Sequence, residues 1–237
     1  MDAIIENFFN AGAARTSLPL LWVGLIALVK LVVVAGLCSL VVGVVLLRIG
    51  LSQRNWLGKA NTWFVDTIRA VPPLVLLVVV YYLTPPIGGY SIDAFQAAVI
   101  VFAVIQGAYV AEILRGGLAA VSQGQYEAGS ALGLTPLKVA RLVIAPQLLR
   151  VVIPPMTSQA TMLVRDASLT FFIGYGEVVV RAHQAVTLTA NSTPYTMALG
   201  IYFVILVVLQ YISRRLERPQ GSGRKSVNVP ATVGTRV

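Results

Sequence analysis

Five long apolar runs, at residues 20–47, 57–83, 95–114, 151–172 and 195–211, are separated by short stretches rich in charge, proline or glycine. A bilayer core takes about 20 helical residues, so the pattern predicts an all-α polytopic membrane protein with about five transmembrane helices. The first run is interrupted only by Lys30, a side chain long enough to snorkel, and carries the small residues Gly36, Ser39 and Gly43 at helical spacing, where a neighbouring helix can come close. The second holds Asp66 and Arg69 three apart, expected to neutralise each other, followed by Pro72 and Pro73. Gln106 lies near the middle of the third, with Glu112 and Arg115 at its end and Gly116 and Gly117 closing it. The fourth is the least apolar: Pro154 and Pro155 are expected to break it early, and Arg165 and Asp166 sit well inside. Between it and the last run, residues 173–193 read as an external loop with a short surface helix, and Thr193 with Pro194 as N-cap and first position of the final helix.

Charge orients these runs. With an external N-terminus, the inner segments hold Arg48, Arg54, Lys59, Arg115, Lys138, Arg141, Arg150, Arg214, Arg215, Arg218, Arg224, Lys225 and Arg236, and the outer ones only Arg15 and Arg181. This bias predicts an N-out, C-in, multi-pass membrane protein. It also accounts for the net charge of +9 without nucleic acid, because the basic residues fall in short clusters between apolar runs. Residues 1–19 form an external amphipathic lead, acidic at its start and without a cleavage pattern, residues 20–216 the transmembrane domain, and residues 217–237 a basic Gly/Ser-rich tail expected to be disordered in the cytoplasm. A single Cys38 in an apolar run and a single His183 without a partner at ligand spacing give no disulfide framework and no protein-built metal site.

One polar interruption stands out, residues 122–150, between the third and fourth runs. Good helix formers fill 125–132, with Ala128, Ala131 and Leu132 on one side, and Gly133 is placed to end the helix in a left-handed conformation. A helix of about two turns is marginal alone, so packing must hold it. Thr135 and Pro136 then read as the cap and first position of a new helix. The residues Glu127-Ala128-Gly129, Gly133 and Val143-Ile144-Ala145-Pro146 resemble the cytoplasmic EAA motif of ABC importer permeases: EAA, three residues, Gly, nine residues, I-x-L-P. Gly129 replaces the usual second Ala, and Val143 and Ala145 replace Ile and Leu. WFVDTIRAVPPLVLLVVVYY, GAYVAEILRGGLAAVSQGQYEAGSALGL, APQLLRVVIPPM and LVRDASL are similar to segments of the polar amino acid branch of that family.

The resemblance implies a membrane-spanning transport subunit, not an enzyme, whose loop docks on a cytoplasmic ABC ATPase dimer through Glu127, Ala128, Gly129, Gly133 and Pro146. It also implies a second permease copy or paralogue, an external or periplasmic solute-binding protein and an amino-acid substrate. The chain has no G-x-x-x-x-G-K-[ST] loop, so ATP and magnesium are expected to be used by the partner ATPase, with no cofactor bound here. Ionisable groups inside a span cost about 2.5–3.5 kcal/mol each on insertion scales and usually face a water-filled path. Adjacent residues on a helix point about 100° apart, so Arg165 and Asp166 need not neutralise each other: Arg165 suits an α-carboxylate and Asp166 an α-ammonium, unless each pairs with another span. LVRDASL resembles the family's substrate-pathway segment, which favours that role for Arg165 and Asp166; Ser168 and Thr170 are weaker candidates. The competing reading is a gradient-driven transporter or channel coupled through Glu112 or Asp166.

Overall fold

The computed structural model of the 237-residue chain describes residues 6–52, 54–89 and 91–216; the tail expected from 217 and the first five residues of the lead lie outside them. Helices follow one another as α1 (Ala11–Gly50), α2 (Asn55–Ala70), α3 (Pro73–Gly88), α4 (Ala94–Ala120), α5 (Gln123–Ala131), α6 (Pro136–Val139), α7 (Ala145–Ala167), α8 (Val178–Thr189) and α9 (Thr193–Leu216). A π-helical turn, Ala140–Ile144, joins α6 to α7, and a 3-10 turn, Ser168–Ile173, follows α7. Among the described residues, four helices are long and apolar enough to cross a membrane, and five if α2 and α3 count as one span.

The bundle is built on α1 and α4. Leu21, Gly24, Leu28, Leu31, Ala35, Ser39, Gly43 and Leu46 recur at helical spacing on the buried side of α1, while Trp22, Ile26, Val29 and Val33 point outward. Helix α4 is apolar and buried nearly all round, as a central helix must be, with Ala97, Val101, Phe102, Ile105 and Ala108 in the core. Its start is fixed by a capping box: Asp93 accepts from the Gln96 backbone N–H and the Gln96 side chain accepts from the Asp93 N–H. The close approach anticipated on α1 occurs at Gly43, where a Cβ would run into Val110 and the Gly107 carbonyl; Gly107 in turn lies against Val42. Lys30 places its Nζ 4.5 Å from the centre of the Phe95 ring.

Two expectations are revised and one, the break at Pro72 and Pro73, is made specific. The second apolar run is not one straight span: α2 and α3 meet at 99°, because Pro72 and Pro73 withhold two backbone N–H groups and hold Val71 and Pro72 in extended conformations. Pro154 and Pro155 do not break the fourth helix, which runs from Pro136 to Ala167 through the π-helical turn, Thr157 donating to the Pro154 carbonyl at 2.7 Å. Thr193 begins α9 but does not serve as its side-chain N-cap. Its hydroxyl accepts from Asn10 N–H at 2.9 Å and donates to Asn191 Oδ1 at 2.6 Å, tying the N-terminal ends of α1 and α9 together.

The segment before α9 is more than a surface loop. The 3-10 turn ends at left-handed Gly174, and α8 packs Val178, Ala182 and Ala185 into the bundle against α1. Gly24 makes this possible, since a Cβ there would sit 2.9 Å from Val178 Cα.

Candidate functional site

The polar hairpin is closed at Gly133. With φ at 74°, Gly133 donates to the Ser130 carbonyl at 3.0 Å and Leu134 donates to the Gly129 carbonyl at 3.2 Å, the paired bonds of a Schellman ending. Packing differs from the expected arrangement, because Ala128, Ala131 and Leu132 are exposed and the inward residue is Gly129. A Cβ on Gly129 would lie 2.9 Å from Val139 Cγ2, so glycine at this position lets α5 rest directly on α6. Gln147 donates to the Val143 carbonyl at 3.0 Å and reaches Gln125 Oε1 at 3.5 Å, linking the base of α7 to α5.

Pro146 lies just after the π-helical turn. It supplies no N–H, and its ring would press on the carbonyl four residues back in a regular helix; the wider turn relieves that crowding, the Ala145 N–H bonding to the Ala140 carbonyl. Glu127 is exposed on α5, and the same hairpin presents Leu132 at 81% and Leu137 at 78% exposure, with Tyr126 and Leu142 also exposed. A short polar helix carrying an exposed acid and flanked by exposed leucines is a surface suited to a groove on a protein partner.

Arg165, Asp166 and Ser168 are brought to the same end of α7 but not to the same face. Asp166 turns toward α4 and accepts from Gln106 Nε2 at 3.3 Å, and Gln106 Oε1 accepts from Gln159 Nε2 at 2.5 Å. Gln159, absent from the sequence reading, sits seven residues before Asp166, two helical turns away on the same side of α7. Arg165 faces the crevice between α7 and α9. It borders a cavity of about 570 Å3 together with Ser158, Thr161, Phe203 and Gln210, and a second of about 320 Å3 with Ser168, Tyr195 and Tyr202. Ser168 Oγ donates to the Arg165 carbonyl at 2.7 Å, which fixes the turn after Arg165. Thr170 is buried and donates to the Ala167 carbonyl at 2.6 Å, a structural role.

Toward the C-terminal end of α4, Glu112 Oε2 accepts from Arg115 at 2.7 Å and lies 3.6 Å from Arg69, so its charge is held by two guanidinium groups. The expected pairing of Asp66 with Arg69 is replaced by this contact, because α2 turns Arg69 toward Glu112 and the Tyr109 ring and leaves Asp66 exposed.

The structure also reveals Glu177, which the sequence did not single out. It lies between the candidate spans, fully buried, and caps α8 by accepting from Val179 N–H at 2.9 Å and Val180 N–H at 3.3 Å, while Tyr202 donates to its other oxygen at 2.7 Å. Burial pushes the Glu177 carboxyl up from its ordinary value, against the opposing pull of these hydrogen bonds. Its only signal in the sequence was a lone acid ahead of the apolar run Val178-Val179-Val180.

Residues 35–220 match the family described as binding-protein-dependent transport system inner membrane component. The chain is 32% identical over 208 residues to the arginine transport system permease protein ArtQ of Bacillus subtilis, covering 87% of this chain and 94% of the relative. It is 34% identical over 157 residues to the glutamine transport system permease protein GlnP of Escherichia coli, covering 65% and 72%. Among solved structures, it superposes on the chain of an amino acid ABC transporter crystallised with histidines with a TM-score of 0.77 and 29% identity, covering 84% of this chain and 94% of that one. Similarity to the inward-facing MetNI methionine ABC transporter, with a TM-score of 0.70 at 23% identity, is one of fold.

Proposed function

The chain belongs to the family of binding-protein-dependent transport system inner membrane components, and from that premise we propose how it couples and carries its solute. It is a multi-pass permease subunit of an ABC importer, a transport protein and not an enzyme. The solute is a polar amino acid or a related small zwitterion, in keeping with the arginine and glutamine permeases it is similar to. Helix α5 is the coupling element: Glu127, Ala128 and Gly129 enter a groove on a cytoplasmic ATPase, Gly133 and Pro146 hold the hairpin in shape, and ATP with magnesium stays on that partner.

The subunit works beside a second copy or a paralogue, receives solute from an external binding protein, and is oriented with its N-terminus outside. Arg165, at the junction of two cavities in the α7–α9 crevice, holds the solute carboxylate. Asp166 and Ser168 shape the path beside it, and Asp166 is oriented by Gln106 and Gln159.

The observation that carries this reading is the exposed acid and leucine surface of a hairpin whose fold is internally fixed by Gly133 and by the Gly129–Val139 contact. It predicts that Glu127→Ala, reconstituted in vesicles with its ATPase and binding protein, loses at least tenfold in ATP-driven uptake while its own thermal unfolding is unchanged. Uptake at the native rate would refute the coupling assignment. Transport sustained by an ion gradient in vesicles lacking the ATPase would favour the rival gradient-driven mechanism through Glu112 or Asp166; the two guanidinium groups around Glu112 argue against that role.

A further inference from the structure

Helix α2 presents three distinct faces. One is turned to the protein: Leu57, Asn61, Val65 and Ile68, with Val65 buried against Leu46 of α1 and Ala108 and Ala111 of α4. The second is aromatic. Trp56 and Trp63 are seven residues apart, so they project within about 20° of each other, and they are 67% and 72% exposed. Thr67 and Phe64 extend that exposed stripe. The third face is polar, with Asn55, Lys59, Thr62 and Asp66 exposed.

The 99° bend at Val71 and Pro72 sets α2 across the direction of α3, and its own length of about 24 Å, with a polar face throughout, does not suit a crossing of the hydrocarbon. Its C-terminal end is fixed to the inner end of α4 by the ion pair of Arg69 with Glu112.

We propose that α2 is an interfacial helix lying in the plane of the cytoplasmic leaflet. Its Trp56–Trp63 face sits at the boundary between headgroups and acyl chains, and Lys59, together with Arg54 just before the helix, contacts anionic headgroup phosphates. Tryptophan favours that boundary because its ring is apolar and its N–H needs a polar partner. The basic residues match the negative charge of the leaflet. A protein partner is the weaker reading, because the aromatic stripe stands beside a polar face in the order that a headgroup boundary requires.

The helix also has a mechanical consequence. Anchored at the boundary and tied to Glu112, it fixes the depth of α4. The remaining eight residues of α4 to Ala120, about 12 Å of helix, then hold α5 at a set distance from the membrane. The depth of α2 is independent of which solute is carried; only the choice of leaflet rests on the orientation proposed above.

The chain has three tryptophans, Trp22, Trp56 and Trp63, so Trp22→Phe leaves α2 as the sole source of tryptophan emission. The full-length Trp22→Phe permease is reconstituted in vesicles of phosphatidylcholine and phosphatidylglycerol that carry bromine either near the ester end or near the middle of the acyl chain. Quenching at least twofold stronger by the shallow bromine is expected, with further quenching by a spin-labelled headgroup. Stronger quenching by the deep bromine would show a spanning helix and overturn the proposal. No quenching by either lipid would overturn it as well, meaning that protein or water covers the face. Lys59→Glu in the same background separates the charge contribution: the shallow quenching should weaken in phosphatidylglycerol vesicles and not in pure phosphatidylcholine.

Discussion

Two glycines of the polar hairpin, four residues apart, are required for different physical reasons. Gly133 has open space around it but a φ of 74°, whereas Gly129 has an ordinary helical backbone and no space, with Val139 where its Cβ would go. Ala at 133 therefore meets a backbone penalty of about 1–2 kcal/mol that no neighbour can relieve, and Asn, which tolerates the left-handed region, recovers part of it. Ala at 129 meets Val139, and shortening Val139 removes the obstacle. Thermal unfolding of the purified permease, together with ATP-driven uptake, should show Gly129→Ala impaired and Gly129→Ala with Val139→Ala restored. Gly133→Ala should be impaired with or without the Val139 change. Rescue of Gly133→Ala by Val139→Ala would contradict the assignment. Gly133 was legible in the sequence, since a glycine after a run of helix formers is a local signal. The reason for Gly129 was not, because it depends on Val139 ten residues away across a turn.

At the scale of elements, the end of the bundle where α8 begins is organised by a buried acid. Glu177 starts α8 and holds Tyr202 of α9, so two helices meet at one carboxyl group. Its value is raised by burial, so the stability it contributes is complete below its unfolded value and is lost as pH rises through the folded one. Glu177→Gln removes that dependence while keeping an oxygen for the α8 N-terminus. In paired thermal unfolding scans, the native protein should gain on the Gln variant as pH falls toward the ordinary carboxyl value. A difference that stays constant or shrinks would show that the carboxyl is not the group responsible. Glu177→Ala should be destabilised at every pH, by about 1 kcal/mol for the lost cap and a further 1–3 kcal/mol if the Tyr202 hydroxyl is left without a partner.

This network was hidden in the sequence because its partners are far apart in the chain and only the fold brings them together. The bend after α2 was half visible. Pro72 and Pro73 announce a break in the ladder, but the 99° angle and the turning of Arg69 away from Asp66 depend on the packing of α2 under α1 and α4.

On the scale of the whole molecule, α7 links the polar hairpin to the crevice beside α9. Its base is joined through the π-helical turn to the polar hairpin, and its far end carries Arg165 and Asp166. Any tilt imposed on the hairpin therefore acts on the residues beside the crevice through one continuous helix. The sequence showed that the two residues were adjacent and about 100° apart, which was enough to send one toward Gln106 and the other toward α9. It did not show the two cavities, which exist only because α9 returns alongside α7. Arg165 forms no ion pair among the described residues and faces space large enough for an amino acid, so its guanidinium is available to a carboxylate. Arg165→Ala should reduce uptake at least tenfold in the reconstituted complex, while co-purification with the ATPase and thermal unfolding stay native. Arg165→Lys, which keeps the charge without the bidentate fork, should retain binding of solute at raised KM. If both variants transport at the native rate, Arg165 is not on the path; if the Ala variant fails to assemble, its role is in holding α7 to α9.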